Sequence, residues 1–214
     1  MDFVNIDKFL PYVLPYAEKC PNLAARRAVR DTLIDMTQRV QMKTLRVVVK
    51  SKKGQSTYEL GLPYGLNVDM LESVSCGNNM LKAVNRSMLA QIYPENHWQD
   101  TTGIPKYYFH VNTPNEVTIV PAPEADDLPI VCEVHVTFTR ETNEFPSDFY
   151  DKYVEIVSAG ALSRLLAIPS QTFTDLNMAA QWAQMYATGI RELAVTAYRS
   201  YTKEAGKVRY RNIL

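Results

Sequence analysis

The hydrophobic period of this chain changes twice, and that switch limits its fold more than any single residue does. Over residues 22–41 the apolar side chains Ala25, Val29, Leu33, Met36 and Val40 recur at three-four spacing, which lays one stripe along one helical face. Pro21 suits the first turn of that helix, and Ile6 to Leu14 reads as a short helix disturbed by Pro11. From residue 44 the period becomes two. Leu45, Val47 and Val49 alternate with Arg46, Val48 and Lys50, and after Lys52-Lys53-Gly54-Gln55 the alternation resumes at Tyr58 and Leu60, which predicts a hairpin. Further strands are expected near 68–76 and 105–111, with Thr113-Pro114-Asn115 turning the chain toward Val117 and Ile119. The clearest strand puts Ile130, Cys132, Val134, Val136 and Phe138 on one face and Glu133, His135, Thr137 and Thr139 on the other.

After Phe145-Pro146-Ser147 the helical period returns, with Ser147 placed as an N-cap and Asp148 and Asp151 at the positive end of the helix dipole. Its expected buried stripe is Tyr150, Tyr153, Val154, Val157, Gly160, Ala161, Leu165 and Leu166, closed by Pro169. A last helix is predicted from about Thr174 to about Ala205, on Leu176, Ala179, Ala183, Tyr186, Ile190, Leu193, Ala197 and Tyr201. At 1.5 Å per residue it would be about 45 Å long and would need partners along its length. No βαβ alternation occurs, so the fold class is α+β: a helical bundle with long C-terminal helices and an antiparallel strand meander inserted between the N-terminal and C-terminal helices. The 214 residues are read as a single domain, with helices over 5–41, strands over 44–140, helices over 147–205 and an extended tail over 206–214.

Charge excludes several function classes. Lys plus Arg and Asp plus Glu number 23 each, so no net field holds a polyanion or an acidic membrane. No apolar run approaches the ~20 residues of a membrane span. Cys20, Cys76 and Cys132 are odd in number and far apart, which fits neither a disulfide framework nor a zinc knuckle and suits a reducing compartment. Catalytic chemistry finds no footing: His97, His110 and His135 are the only histidines, the last two on polar strand faces, and there is no HExxH and no glycine-rich phosphate loop. Asp126-Asp127 reads as a hairpin tip, since a hard cation needs more oxygens. No catalytic residue, cofactor site or metal site is assigned.

The basic clusters Arg26/Arg27/Arg30 and Lys50/Lys52/Lys53 read as solvated surface. The tail differs. After Gly206, Lys207, Val208, Arg209, Tyr210, Arg211, Ile213 and Leu214 alternate basic with apolar side chains, and such a segment cannot bury its apolar members locally. Of the 13 tyrosines, Tyr186, Tyr198 and Tyr201 lie on faces of the predicted last helix, and tyrosine is favoured at interfaces. With Gly160, whose small neighbours Ala159 and Ala161 admit a second backbone, these three are the candidate subunit-packing residues.

Several strings carry a family resemblance. Phe145-Pro146, then Tyr153 through Leu166 with its Gly160-Ala161-Leu162 centre, then Pro169, Phe173-Thr174-Asp175, Ala179-Ala180 and Ile190 resemble the head-to-tail connector proteins of tailed bacteriophages, the adaptor ring beneath the portal. Trp98, Gly103-Ile104-Pro105-Lys106-Tyr107-Tyr108 and Val117 through Pro123 are similar to the same family's central run, and Phe9-Leu10-Pro11 with the helix from Arg26 to Met36 to its opening. The stretch before Pro21, with prolines at 11 and 15, departs from the pattern.

The resemblance implies a structural, non-enzymatic subunit of a dodecameric ring in the virion neck, assembled in the host cytoplasm. It implies portal docking through the tail residues named above, contact with tail or nozzle proteins, and DNA passing through the lumen without sequence-specific binding. It implies no cofactor and no membrane. A stopper or tail-terminator ring is the alternative within the neck, though such chains are mostly β; a nucleic-acid-binding or hydrolytic protein is the alternative outside it.

Overall fold

The computed structural model describes residues 3–40, 44–93, 98–110 and 115–198. The chain forms two compact units, Met1–Met42 with Arg140–Leu214, and Lys43–Thr139 inserted between them.

The first unit begins with β1 (Phe3–Asn5), a 3-10 turn over Ile6–Phe9, α1 (Leu10–Val13) and a second 3-10 turn over Leu14–Tyr16. This broken helical run is what Pro11 and Pro15 dictate, since each removes a donor. Then follows α2 (Asn22–Val40), whose buried residues include all five expected apolar positions.

In the second unit, β2 (Thr44–Lys50), β3 (Thr57–Glu59), β4 (Leu66–Cys76), β5 (Asn79–Met80) and β6 (Lys82–Ala83) precede the short α3 (Arg86–Ile92). After it come β7 (Thr102–Gly103), β8 (Tyr107–Phe109), β9 (Glu116–Val120), β10 (Ala122–Pro123) and β11 (Pro129–Phe138). The chain then returns to the first unit with β12 (Glu144–Pro146), α4 (Ser147–Leu166) and α5 (Leu176–Tyr198).

The strands build two four-stranded sheets, β2-β11-β4-β5 and β3-β9-β8-β6, antiparallel apart from the two-residue parallel contact of β6 with β8. Tyr58, Val74, Val117, Ile119, Ile130, Cys132 and Val134 from the two sheets bury into one core. The α+β class is therefore as read, with one correction inside it: β2 and β3 are not a hairpin. β2 pairs with β11, from Lys50 opposite Pro129 to Thr44 opposite His135, whereas β3 pairs with β9. The turn between them is tied elsewhere, by Ser51 N–H to Leu128 O at 2.9 Å and Gly54 N–H to Pro123 O at 2.9 Å, so the chain changes sheets there. Gly54 takes φ +76, a backbone state that glycine adopts without a Cβ penalty.

Asp126 Oδ1 accepts the Lys53 N–H at 2.7 Å and Asp127 pairs with Lys50 at 3.2 Å, so the acidic pair serves this turn. β11 meets β4 with two bulges, at Glu72 and at Asp69, each an extra residue opposite an otherwise regular β11. They leave Glu72 Oε2 3.3 Å from His135 Nε2.

The helical unit closes around Gly160. A Cβ there would collide with Thr32 Cγ2 of α2 and would lie 2.8 Å from Tyr186 Cδ2 of α5. Three helices meet where only a hydrogen atom fits. The second crossing of α4 and α5 is nearly as close: a Cβ on Gly189 would lie 2.9 Å from Ile156 Cγ1. Ser147 is the first residue of α4 and not its cap; Pro146 occupies the cap position and no side chain caps that end. Tyr150, Tyr153 and Val154, expected in the buried stripe, are only half-buried, and Phe149, Ala159 and Leu162 complete the core face in their place.

Replacing Gly160 with alanine adds about 1 kcal/mol of helix propensity but forces the three helices apart, so Gly160→Ala should lower stability by a net ~1–3 kcal/mol in urea unfolding. Thr32→Ser in the same chain, which removes the nearest methyl group, should recover part of the loss.

Candidate functional site

Chemical groups suited to catalysis are dispersed among the described residues. His110 Nδ1 lies 2.7 Å from Glu116 O, and His135 Nδ1 lies 3.2 Å from Thr44 Oγ1. His97 lies outside the described residues. No group of three His, Cys, Asp or Glu among the described residues is placed to hold a metal ion. All three cysteines are buried, and burial pushes the Cys132 thiol up to about 12. A thiol held so far from its thiolate is a poor nucleophile and a poor metal ligand. No described helix is long and apolar enough to cross a membrane.

The arginines of α2 are drawn into contacts within the helical unit. Arg26 forms a two-pronged pair with Asp7 at 2.5 Å, Arg27 lies 3.8 Å from Asp31, and Arg30 donates to Thr142 O at 2.9 Å.

What remains is exposed surface with few charges, and α5 carries a long stretch of it. Its inner side is fixed: Ala179, Tyr186 and Ile190 are buried, and the Tyr186 hydroxyl donates to Asp35 Oδ2 at 2.8 Å. Asp35 is itself held by Arg39 at 2.8 Å and Arg164 at 3.4 Å. Burial first, then the hydrogen bond and charge of Asp35, push the Tyr186 phenol well above the ordinary tyrosine range, against the pull of Arg164 and Arg39.

The outer side of α5 is different. Asn177, Gln181, Gln184 and Thr188 are exposed along it, with Met185 57% and Val195 51% exposed beside them; Leu176, 67% exposed, opens the helix on another face. From Leu176 to Ile190 the helix has no charged residue. A solvated helix face normally carries charge. Near the far end of α4, a groove of about 490 Å³ runs between Leu23, Ala24 and Ala28 of α2 and Leu165 and Ile168, with Arg27 and Arg164 on its rim.

The candidate packing residues fall into two groups. Gly160 and Tyr186 are brought together, but each finds its partner inside this chain, Tyr186 being only 8% exposed. Tyr198 ends α5 in the described residues, and nothing is described of its side chain; Tyr201 and the tail residues Lys207, Val208, Arg209, Tyr210, Arg211, Ile213 and Leu214 lie outside the described residues. Leu176, placed on the buried stripe by its spacing, is instead exposed. The helix period otherwise names the covered side, since Ala179, Tyr186 and Ile190 of the expected stripe are buried. The missing charge over residues 176–190 is a second signal readable in the sequence.

A family model for the SU10 adaptor protein matches residues 13–209, which takes in α2, both sheets, α4 and all of α5. The chain belongs to the SU10 adaptor protein family. No curated protein matches it. As a phage structural adaptor it is a virion component that works by contact with other virion proteins.

Two measurements check the internal geometry. Because the folded-state Tyr186 phenol titrates above the unfolded tyrosine value of about 10, its contact contributes fully below that pH and is lost as pH rises toward the folded-state value. Tyr186→Phe should cost about 1–2 kcal/mol near neutrality, and the gap from the wild type should narrow above about pH 10 in urea titrations. Mass spectrometry after treatment with a thiol reagent at about pH 8 should find no modified cysteine in the folded protein and three after unfolding.

Proposed function

We propose that this adaptor is one subunit of a ring in the virion neck, joining the portal to tail or nozzle proteins around a lumen through which DNA passes. The observation that carries the reading is the outer side of α5, an exposed helical surface of Asn177, Gln181, Gln184, Thr188 and Met185 with no charge from residue 176 to 190. Such a surface has no charge to desolvate, and a neighbouring copy covers it at low cost because every subunit of a ring presents the same two contact patches. A dodecamer is the stoichiometry that the likeness to connector proteins implies.

The basic and apolar tail, Lys207 to Leu214, is assigned to the portal, and Tyr198 and Tyr201 to the subunit contact. In this reading the helical unit contacts portal and neighbouring copies, and the sheet unit contacts tail components. Equal numbers of acidic and basic residues suit a lumen that DNA slides through, since a strongly basic wall would retain it through counterion release.

Negative-stain electron microscopy of the protein mixed with purified portal tests the proposal. A ring stacked on the portal is expected from the wild type. Met185→Glu, which places a charge on the exposed side of α5, should abolish the ring while leaving the melting temperature unchanged. Deletion of residues 207–214 should leave a folded protein that no longer binds portal; unchanged binding would remove the tail from this role.

A further inference from the structure

The two four-stranded sheets end in four edge strands, and three of these are short: β3 has three residues, β5 two and β6 two. The fourth, β2, runs for seven residues in unbroken register against β11. Proteins commonly blunt a sheet edge by keeping it short or bulged, because alternate N–H and C=O groups point outward and can pair with another chain. β2 is neither, and its outward backbone groups have no partner among the described residues.

The side chains of β2 describe what would fit beside it. On the core side, Leu45, Val47 and Val49 pack against the buried cluster but remain half-buried, with no strand among the described residues on their open flank. On the outer side stand Arg46, Val48 and Lys50, with Val48 59% exposed. Arg46 lies opposite Glu133 on β11, which accepts from Ser73 of β4, and Lys50 lies opposite Pro129 and reaches Asp127 at 3.2 Å. A strand added next to β2 therefore meets the basic column of Arg46 and Lys50 first, and each basic side chain gains an opposite charge on its open side if the added strand is acidic there.

Two occupants are disfavoured by the same column. A second copy pairing β2 to β2 with the apolar sides aligned sets Arg46 and Lys50 on the same face as their counterparts, and like charges on neighbouring strands destabilise. The segment from Lys207 to Arg211 brings Lys207, Arg209 and Arg211 to that face with the same result.

We infer that β2 is a strand-addition site for an extended segment of another protein, apolar at alternate positions on the core side and acidic at those between. Main-chain hydrogen bonds to β2 supply the affinity, cover of Leu45, Val47 and Val49 adds apolar burial, and Arg46 and Lys50 select the charge. The inference stands whether or not the subunits close into a ring.

The test uses the full chain with short blocked peptides alternating valine with glutamate, or valine with lysine, as probes. Fluorescence anisotropy measures binding, and hydrogen exchange followed by mass spectrometry locates it. The glutamate peptide should bind about tenfold tighter than the lysine peptide and slow exchange across Thr44–Lys50, and a proline at its centre should abolish binding. The doubly substituted chain Arg46→Glu/Lys50→Glu, checked for an unchanged melting temperature, should invert the preference. Equal affinity for both peptides, or protection elsewhere than β2, overturns the inference. So does concentration-dependent protection of β2 without peptide, which would make a second copy the occupant.

Discussion

Everything in the helical unit depends on the absence of a side chain at residue 160. Because α4 presents only a hydrogen atom there, Thr32 of α2 and the ring of Tyr186 can close over it from two sides. The tyrosine is then anchored at its far end, where its hydroxyl reaches Asp35, and Asp35 is steadied by Arg39 and Arg164. Steric fit and a charged network thus fix the same aromatic ring, and through it the rotation of α5 about its axis. Once that rotation is fixed, so is the side of α5 that faces away: Met185 and Val195 are exposed because Tyr186 and Ile190 are not.

This division of the helix explains how an adaptor can carry a large uncharged surface without collapsing on itself. The outer side is polar without being charged, through Asn177, Gln181, Gln184 and Thr188, so the apolar pattern itself tells inside from outside. Shape adds to that choice at Gly160 and again at Gly189 against Ile156, as does the buried hydroxyl of Tyr186 that must find an acceptor. The outer side is left free for other molecules.

The sequence was most legible where periodicity and burial have one cause. Strands at 44–50, 66–76, 116–120 and 129–138 and helices at 22–40, 147–166 and 176–198 follow directly from apolar spacing. Pairing was less legible, because alternation says which face of a strand is buried and not which strand lies beside it. Residues 44–50 and 57–59 are separated by a turn that reads as a hairpin, yet Ser51 and Gly54 bind Leu128 and Pro123 and send the two strands into different sheets. The candidate contact residues show the same limit. Glycine 160 and tyrosine 186 were legible as sites of close packing, but a small residue and an aromatic one signal contact without naming the partner, and the partners shown are Thr32 and Asp35 of the same chain.

The burial of the cysteines has a practical side. With Cys20, Cys76 and Cys132 all enclosed and their thiols raised by desolvation, the folded surface is a blank background for sulfur chemistry. A single cysteine introduced on the exposed side of α5 or along β2 would therefore carry a spin label or fluorophore alone, with no native residue to be removed first. It also means that oxidation cannot staple one folded copy to another through the native cysteines.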